Sequence, residues 1–318
     1  MALKVAIQMD PLENSKPLNL ASFWISLEAQ RRGHALYHYL PRDLSLNGKT
    51  VTARARPLKL SRETPPHYEF GDWETIDLGG FDIVLMRQDP PFDMTYLTAT
   101  YILEHIMDRV LVTNNPTEVR NAPEKLFVTN FPDLAPPTLI SANRDDIHAF
   151  KKEWGEIIIK PLYRHGGAGI FYIDKAGTNM NAILEMFFER STEPLVIQKF
   201  LPEIKDGDKR IILFDGEFAG GFIRFSVQGE IRSNVGFGGK YEKITMTKRD
   251  HEICERLSTE LTKRGLIFTS IDVIGEFLTE INVTSPGGFY YINKLYGLTI
   301  ERDLWDIYED KLQKLRQK

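Results

Sequence analysis

Cysteine is almost absent from this chain of 318 residues, which contains only Cys254. A single cysteine excludes an intrachain disulfide and every metal or redox motif that needs two cysteines. Cys254 shares one face of a predicted helix with Leu257 and Leu261, so we interpret it as a core thiol rather than a nucleophile. The seven histidines contain no HExxH pattern, which argues against a zinc site of that kind.

Long apolar runs and basic tracts are also missing. No stretch approaches the length of a membrane span, and the apolar segment near the start is too short for a secretory signal. The 44 acidic and 40 basic residues give a formal net charge of -4 and are spread along the chain. Without the basic stripe that a phosphate backbone requires, nucleic acid is not an expected partner. We therefore expect a cytoplasmic protein.

The composition that is present, with 42% hydrophobic and 26% charged residues, is typical of a globular protein of two or three subdomains. Up to Thr113, short apolar strands alternate with helical segments, which predicts a small parallel α/β domain. Beyond Asn121 the strands come in pairs, which predicts an α+β region with antiparallel sheets. We place the N-terminal domain at residues 1–122 and a two-part domain at residues 123–318.

A glycine-rich loop, Tyr163–Gly169, lies directly between two predicted strands. A dinucleotide-binding fingerprint needs a helix after its glycines, so the strand that follows argues against that class of site. A strand–loop–strand unit can instead fold over triphosphate oxygens, because Gly166 and Gly167 leave backbone N–H groups accessible. From this loop alone, a plain glycine-rich hairpin remains the alternative.

The run Ile157–Lys160 is apolar except for its last residue, Lys160. The aliphatic part of this side chain is therefore expected to be buried, with its positive charge held at the end of the strand. Such a lysine can hold phosphate oxygens, although it can also simply extend to solvent.

Two acids and an amide interrupt later strands that otherwise look buried: Asp272, Glu280 and Asn282. Glu280 and Asn282 are two residues apart and share one strand face, and their oxygens suit Mg²⁺ shared with phosphates. Satisfaction by backbone groups or salt bridges is the alternative.

The register between these two strands is decisive. With a two-residue turn at Gly275 and Glu276 and a regular ladder, Asp272 would lie opposite Thr279 and point away from Glu280. We predict a three-residue loop, residues 275–277, or an equivalent bulge, that pairs Asp272 with Glu280.

Read together, these motifs resemble the bacterial glutathione synthetases of the ATP-grasp superfamily. The resemblance extends in order over nearly the whole chain and lies in residues 9–11, 86–93, 125, 159–161, 166–167, 198–201, 204–210 and 279–286. It implies that residues 123–318 form an ATP-grasp domain, with residues 123–199 as the lid or central subdomain and residues 200–318 as the C-terminal subdomain.

The resemblance also implies an activity: glycine is joined to γ-glutamylcysteine while ATP is cleaved to ADP and phosphate, through an acyl phosphate. It implies Mg²⁺, two ions by the family pattern, with Mn²⁺ as an alternative. It further implies a homo-oligomer, often a tetramer.

Matching positions assign ATP binding to Lys125, Lys160, Gly166, Gly167, Gln198, Lys199, Phe200, Leu201 and Asp208. The metal ligands would be Asp272, Glu280 and Asn282. We assign Arg210 to the charge on the transferring phosphoryl and tetrahedral species. We expect the substrate to contact Arg224, Arg232, Asn234, Gly238 and Gly239, within or beside a loop at residues 226–241 that closes over the intermediate. For the first two of these residues, a solvated surface position is the alternative.

One segment departs from the family pattern. After Pro286 these enzymes usually continue through a short stretch that contains an arginine, whereas this chain reads Gly-Gly-Phe-Tyr-Tyr-Ile-Asn-Lys over residues 287–294. This leaves open a different amine acceptor or an arginine supplied from elsewhere. A nucleotide-binding regulatory protein without turnover is a third hypothesis, against which the full set of lysines and metal ligands argues.

Overall fold

The computed structural model describes residues 2–227 and 239–317. Within these residues, strands form an eight-stranded, a four-stranded and a five-stranded sheet. No helix in the described part is long and apolar enough to cross a membrane.

The eight-stranded sheet belongs to the N-terminal part of the chain. Its centre is parallel: β1 pairs with β2 and β7, and β7 pairs with β8. An antiparallel extension is built on the long strand β4. The elements are β1 (Lys4–Gln8), α1 (Ala21–Arg31), β2 (Ala35–Tyr39), β3 (Leu44–Asn47), β4 (Thr50–Leu60), β5 (Tyr68–Phe70), β6 (Glu74–Asp77), β7 (Ile83–Met86), α2 (Met94–Glu104), β8 (Leu111–Thr113) and α3 (Pro116–Arg120).

The four-stranded antiparallel sheet has the strand order β11-β10-β12-β9 and carries two helices that the sequence analysis did not predict. It follows a short helix, and the elements are α4 (Glu124–Phe127), β9 (Thr138–Ser141), α5 (Arg144–Trp154), β10 (Ile157–Pro161), β11 (Phe171–Ile173), α6 (Met180–Phe188) and β12 (Leu195–Lys199). Its core is a separate cluster that includes Ile147, Ile159 and Leu184.

The five-stranded antiparallel sheet has the order β15-β14-β13-β16-β17. The elements are β13 (Asp208–Phe214), β14 (Glu217–Phe225), β15 (Lys240–Lys243), α7 (Lys248–Arg264), β16 (Phe268–Ile274), β17 (Phe277–Asn282), α8 (Phe289–Tyr296) and α9 (Glu301–Arg316). On α7, Cys254 is buried beside Leu257 and Leu261, which confirms the prediction of a core thiol.

The two larger core clusters each combine residues from the N-terminal sheet with residues from the C-terminal sheet. One joins Val84 and Leu103 to Leu257 and Ile271. The other contains both α1 and α9, where the Trp305 indole donates a hydrogen bond to the Ile25 carbonyl at 2.7 Å. These shared interiors fix the N-terminal and C-terminal sheets against each other.

Candidate active site

A cavity of about 310 Å³ lies between the four-stranded and the five-stranded sheets. Its volume is in the range of small-molecule sites. One wall is formed by Ile158 on β10 and by residues 198–201, which include the end of β12. The opposite wall is formed by Asp272 on β16 and Glu280 on β17. The strand ends of two sheets therefore define the site.

The glycine-rich loop covers part of this cavity. Gly166 and Gly167 line it and have φ angles of 67° and 79°. This left-handed backbone favours glycine, because a Cβ atom would strain it. His165 lines the cavity as well, so the loop places an imidazole beside the two glycines.

The register of β16 and β17 confirms the predicted pairing, by the bulge rather than by the longer loop. Ile274 pairs with Phe277, so the turn is the two-residue one. Thr279 is then left over as an extra residue, and Asp272 pairs with Glu280 and Ser270 with Asn282. The Thr279 hydroxyl donates to the Asp272 carbonyl at 3.1 Å. Directly paired residues share a face, so the bulge brings Asp272, Glu280 and Asn282 together.

Two lysines lie against Glu280. The Nζ atom of Lys160 is 3.6 Å from Glu280 Oε1 and 3.4 Å from Gln198 Oε1. Lys160 is buried, and this burial lowers its pKa. Lys125, on α4, places its Nζ 3.9 Å from the same carboxylate oxygen and donates a hydrogen bond to the Arg164 carbonyl. The structure thus brings Lys125 to the cluster, although it lines a smaller neighbouring cavity rather than the main one.

Two arginines enclose Asp272. Arg210 on β13 makes a bidentate contact with this carboxylate at 2.8 and 2.6 Å, and Arg224 on β14 lies 3.0 Å from it while also donating to Asp208. Although burial opposes ionisation, the charges of Arg210 and Arg224 hold the pKa of Asp272 well below its usual range. Arg224 is buried, so the alternative of a solvated surface position is wrong for this residue.

Glu124 is a cavity residue that the sequence analysis missed. Its carboxylate accepts a hydrogen bond from the Thr284 hydroxyl at 2.9 Å. Burial and the nearby charge of Glu280 raise the pKa of Glu124 to about 7. No pattern in the sequence points to it, because the position depends on α4 packing against β17.

The remaining predicted residues fall into two groups. Those that line the main cavity as expected are Gln198, Lys199, Phe200, Leu201 and Asp208. Arg232, Asn234 and Gly238 lie outside the described residues, and Gly239 stands directly before β15 and outside the cavity lining.

The donor set fits a hard cation. Asp272, Glu280 and Asn282 present carboxylate and amide oxygens on one strand face, and the Asn282 amide nitrogen is directed to the Ser270 carbonyl at 3.5 Å. The Asn282 side-chain oxygen therefore remains available as a ligand. Asp272 would have to share its carboxylate between the arginines and a metal ion.

A second cavity, of about 370 Å³, adjoins the first and shares Asp89, Arg210 and Ser285 with it. It is formed largely by the segment after β1 and by the start of α1.

Comparison with known proteins gives consistent results along the chain. The family model for the prokaryotic glutathione synthetase N-terminal domain matches residues 3–120, and the model for the ATP-grasp domain of that enzyme matches residues 124–297. The glutathione synthetase of Mesorhizobium japonicum is 48% identical over 98% of this chain and 99% of its own length. That of Escherichia coli is 39% identical over 98% of this chain and 99% of its own length.

Solved structures agree on the fold. D-alanyl-alanine synthetase A from Vibrio cholerae superposes with a TM-score of 0.65 at 13% identity, covering 99% of this chain and all of that one. D-cycloserine synthetase DcsG gives a TM-score of 0.65 at 12% identity over 96% of this chain and 99% of its own. At such identities the likeness concerns the architecture alone, which is the ATP-grasp fold.

Proposed function

The chain belongs to the prokaryotic glutathione synthetase family, and from this premise we propose that it joins glycine to γ-glutamylcysteine, with cleavage of ATP to ADP and phosphate. It is an ATP-dependent carboxylate–amine ligase. The single observation that carries this proposal is the pairing of Asp272 with Glu280 in the main cavity, with the two buried lysines Lys125 and Lys160 beside Glu280.

In this proposal the nucleotide occupies the main cavity. Adenine lies along the backbone of residues 198–201, and the apolar side chains Ile158 and Ile274 flank it. The triphosphate meets Lys125, Lys160 and the N–H groups of the glycine-rich loop. These contacts position the phosphates and neutralise their charge, which is the main task of a protein in phosphoryl transfer.

The first chemical step activates the acid. A carboxylate oxygen of γ-glutamylcysteine attacks the γ-phosphorus, the bond to the β-phosphate oxygen breaks, and ADP leaves. Arg210 stabilises the charge on the transferring group. Asp272, Glu280 and Asn282 would hold Mg²⁺, two ions by the family pattern, which would neutralise phosphate charge when bound.

The second step forms the amide. The glycine amine attacks the carbonyl carbon of the acyl phosphate, phosphate leaves, and the amine loses a proton. Water must be excluded in the meantime because it would hydrolyse the acyl phosphate. Here we propose a closing role for the loop at residues 226–241 and substrate contacts by Arg224, Arg232, Asn234, Gly238 and Gly239.

One assay tests this proposal. The purified protein is supplied with ATP, Mg²⁺ and γ-glutamylcysteine, and phosphate release is measured with glycine, without an amine, and with a panel of other amino acids. We expect glycine-dependent phosphate release in equal amount to glutathione, and none from a Lys160→Met variant. Release without any amine acceptor, or none with the whole panel, would contradict ligation.

A second candidate keeps the same chemistry with another amine. It is favoured by the altered segment at residues 287–294, which forms the start and body of α8 and packs Tyr291 against Tyr241 with ring centroids 4.6 Å apart. Phosphate release with a different amino acid but not with glycine would select it.

We also propose that the chain forms a homo-oligomer, a tetramer by family resemblance, in the cytoplasm. Light scattering should then give four times the 36.6 kDa chain mass. The division into residues 1–122, 123–199 and 200–318 remains our proposal for the domains.

A further inference from the structure

One carboxylate of the main cavity is left without a cationic partner. Five acidic residues line this cavity. Three of them form ion pairs with arginine or lysine, namely Asp208, Asp272 and Glu280. Of the other two, Asp89 is exposed and also lines the second cavity, whereas Glu124 is partly buried. Glu124 forms no ion pair with a cation of the described residues.

The Glu124 side chain is anchored, yet most of its hydrogen-bonding capacity is unused. Within the described part of the chain its carboxylate accepts one hydrogen bond, from the Thr284 hydroxyl at 2.9 Å. An ionised carboxylate can accept about four. Burial and the charge of Glu280 raise the pKa of Glu124 to about 7, although the charges of Lys125 and Arg210 act in the opposite direction. A cation bound beside this carboxylate would therefore stabilise its charged form.

The proposed reaction brings one ammonium group to this part of the cavity. In γ-glutamylcysteine the ammonium lies at the glutamyl end, far along the molecule from the cysteine carboxylate that reacts. In the amine acceptor the nitrogen is itself the nucleophile, so it must reach the acyl carbon beside Arg210. Glu124 and Arg210 line the same cavity, and the charge of Arg210 acts on Glu124. The acceptor nitrogen is thus the cationic group that has to approach Glu124.

We propose that Glu124 binds the ammonium group of the amine acceptor in the main cavity. This assignment rests on the proposed function and extends it to the recognition of the second substrate. The acceptor arrives as an ammonium ion, which is its predominant form at neutral pH. The contact with Glu124 places the nitrogen next to the acyl carbon before the amine loses its proton and attacks.

A metal ion is the other cation that a carboxylate in this cavity could bind. The proposed metal ligands share one face of β16 and β17. Glu124 lies instead on α4, and its carboxylate contacts Thr284, which follows the end of β17. This position outside the ligand face favours the ammonium group, and the requirement for Mg²⁺ tests the difference.

The decisive variant is Glu124→Gln, which keeps an acceptor for the Thr284 hydroxyl and removes the charge. We expect its KM for glycine to rise by about tenfold or more, because one charge-assisted contact is lost. The KM values for ATP and γ-glutamylcysteine, and the Mg²⁺ concentration for half-maximal rate, should stay within about threefold of wild type. Glu185→Gln, at an exposed position on α6, is the matched control.

Hydroxylamine separates recognition of the ammonium from a structural role of Glu124. This nucleophile is largely uncharged at neutral pH, and its nitrogen attacks the acyl carbon, so that phosphate leaves and a hydroxamate forms. It needs no carboxylate to bind it. For Glu124→Gln we therefore expect kcat/KM with glycine to fall by about tenfold or more, and kcat/KM with hydroxylamine to stay within about threefold of wild type. Equal losses with both nucleophiles would overturn the inference.

Thr284→Val removes the hydrogen bond and leaves the carboxylate charged. Its KM for glycine should rise clearly less than that of Glu124→Gln, and this comparison decides the test even where the wild-type protein forms no hydroxamate. Equal rises in the two variants, or a higher Mg²⁺ requirement of Glu124→Gln with an unchanged KM for glycine, would contradict the assignment. If the wild-type protein uses another amino acid, that acceptor replaces glycine in each assay. Failure of the wild-type protein to release phosphate with γ-glutamylcysteine and any amine would instead contradict the proposed function.

Discussion

Glu280 is the residue on which the charges of the site converge. Its carboxylate lies between the ammonium groups of Lys125 and Lys160 and opposite Asp272 across the ladder. Before nucleotide binds, Glu280 offsets the charge of the two lysines. In the proposed mechanism the triphosphate would neutralise the two lysines instead, and the Glu280 carboxylate would then be available for a metal ion.

Replacing Glu280 with Gln should therefore impair turnover and leave the fold intact. We expect kcat to fall by about a hundredfold or more, because a charge that stabilises the transition state is lost. The melting temperature should change little, since the side chain is 21% exposed and its contacts with the lysines are 3.6 and 3.9 Å long. Glu276→Gln, in the neighbouring exposed turn, is the control, and near-normal turnover of Glu280→Gln would remove Glu280 from the metal site.

His38 provides a prediction about pH. It is fully buried in β2, and this burial, with the charge of Arg56, lowers its pKa from 6.5 to about 4. The unfolded chain therefore binds a proton more readily, and stability falls as the pH drops from about 6.5 toward 4. Between pH 7 and pH 5 this contributes a loss of about 2 kcal/mol.

Urea unfolding at both pH values measures this loss. A His38→Gln variant should lose less stability on acidification than the wild type, whatever its stability at pH 7. His148→Gln, at an exposed position on α5, should behave like the wild type. Equal losses for the wild type and His38→Gln would show that His38 does not carry the effect.

At the residue scale, the site residues that the sequence could predict are those that interrupt the apolar pattern of a single strand. Lys160, Asp272, Glu280 and Asn282 interrupt apolar runs, and a charge in a buried strand needs a partner. Lys125 could be reached only through family resemblance, and Glu124 was not found at all. Both lie on the short helix α4, and their roles depend on contacts with β17 and with the Arg164 carbonyl that no local pattern encodes.

At the scale of elements, the bulge at Thr279 sets the geometry of the proposed metal site. The alternation of side chains in β16 and β17 predicted that an extra residue was needed, because the acids had to share one face. Whether it sat in the turn or in the strand could not be decided from that alternation. The structure places it in the strand and keeps the turn at two residues.

One buried acid on helix α7 forms an ion pair with the central strand of the five-stranded sheet. Asp250 is fully buried, accepts two hydrogen bonds from Lys209 on β13 at 2.9 and 2.6 Å, and completes a capping box with Thr247. Lys209 is the neighbour of Arg210, so this contact also supports the strand that carries the site.

Removing this acid should destabilise the protein more than removing the cap alone. We expect Asp250→Ala to lower the free energy of unfolding by about 3 kcal/mol, because Lys209 loses its partner. Thr247→Ala should cost about 1 kcal/mol. Urea midpoints of both variants measure the difference, and equal effects would show that the ion pair adds nothing to the cap.

Sequence patterns did not predict the helices α5, α6, α8 and α9. The last two lie beyond the strand pair that carries the proposed metal ligands, and their apolar residues pack against α1 and the C-terminal sheet. Such long-range burial decides the position of a helix.

At the scale of the molecule, the N-terminal and C-terminal sheets depend on a shared interior, whereas the four-stranded sheet has its own. Of the three core clusters in the described residues, two contain residues from both ends of the chain. The order of elements along the sequence predicts a parallel and an antiparallel sheet. It does not show that the N-terminal and C-terminal sheets share a continuous core.

A fragment of residues 123–318 should therefore fail to fold into a rigid state. It would expose the apolar residues that pack on β1, β7 and α1, and the lost burial exceeds the small net stability of a domain. We expect no cooperative urea transition, weak near-ultraviolet circular dichroism and binding of a hydrophobic dye, in contrast to the full chain. A cooperative transition near the midpoint of the full chain would show that the fragment is self-sufficient.

The contact of Trp305 with Ile25 has a consequence for biosynthesis. The two residues are 280 positions apart, and α1 and α9 complete one interior. A ribosome adds residues at about 5–20 per second, so α1 waits roughly 15 seconds to a minute for α9 to be translated. During that interval Phe23, Trp24 and Ile25 lack the part of their final surroundings that α8 and α9 supply. The nascent chain is therefore an expected client of chaperones that shield apolar segments until translation ends.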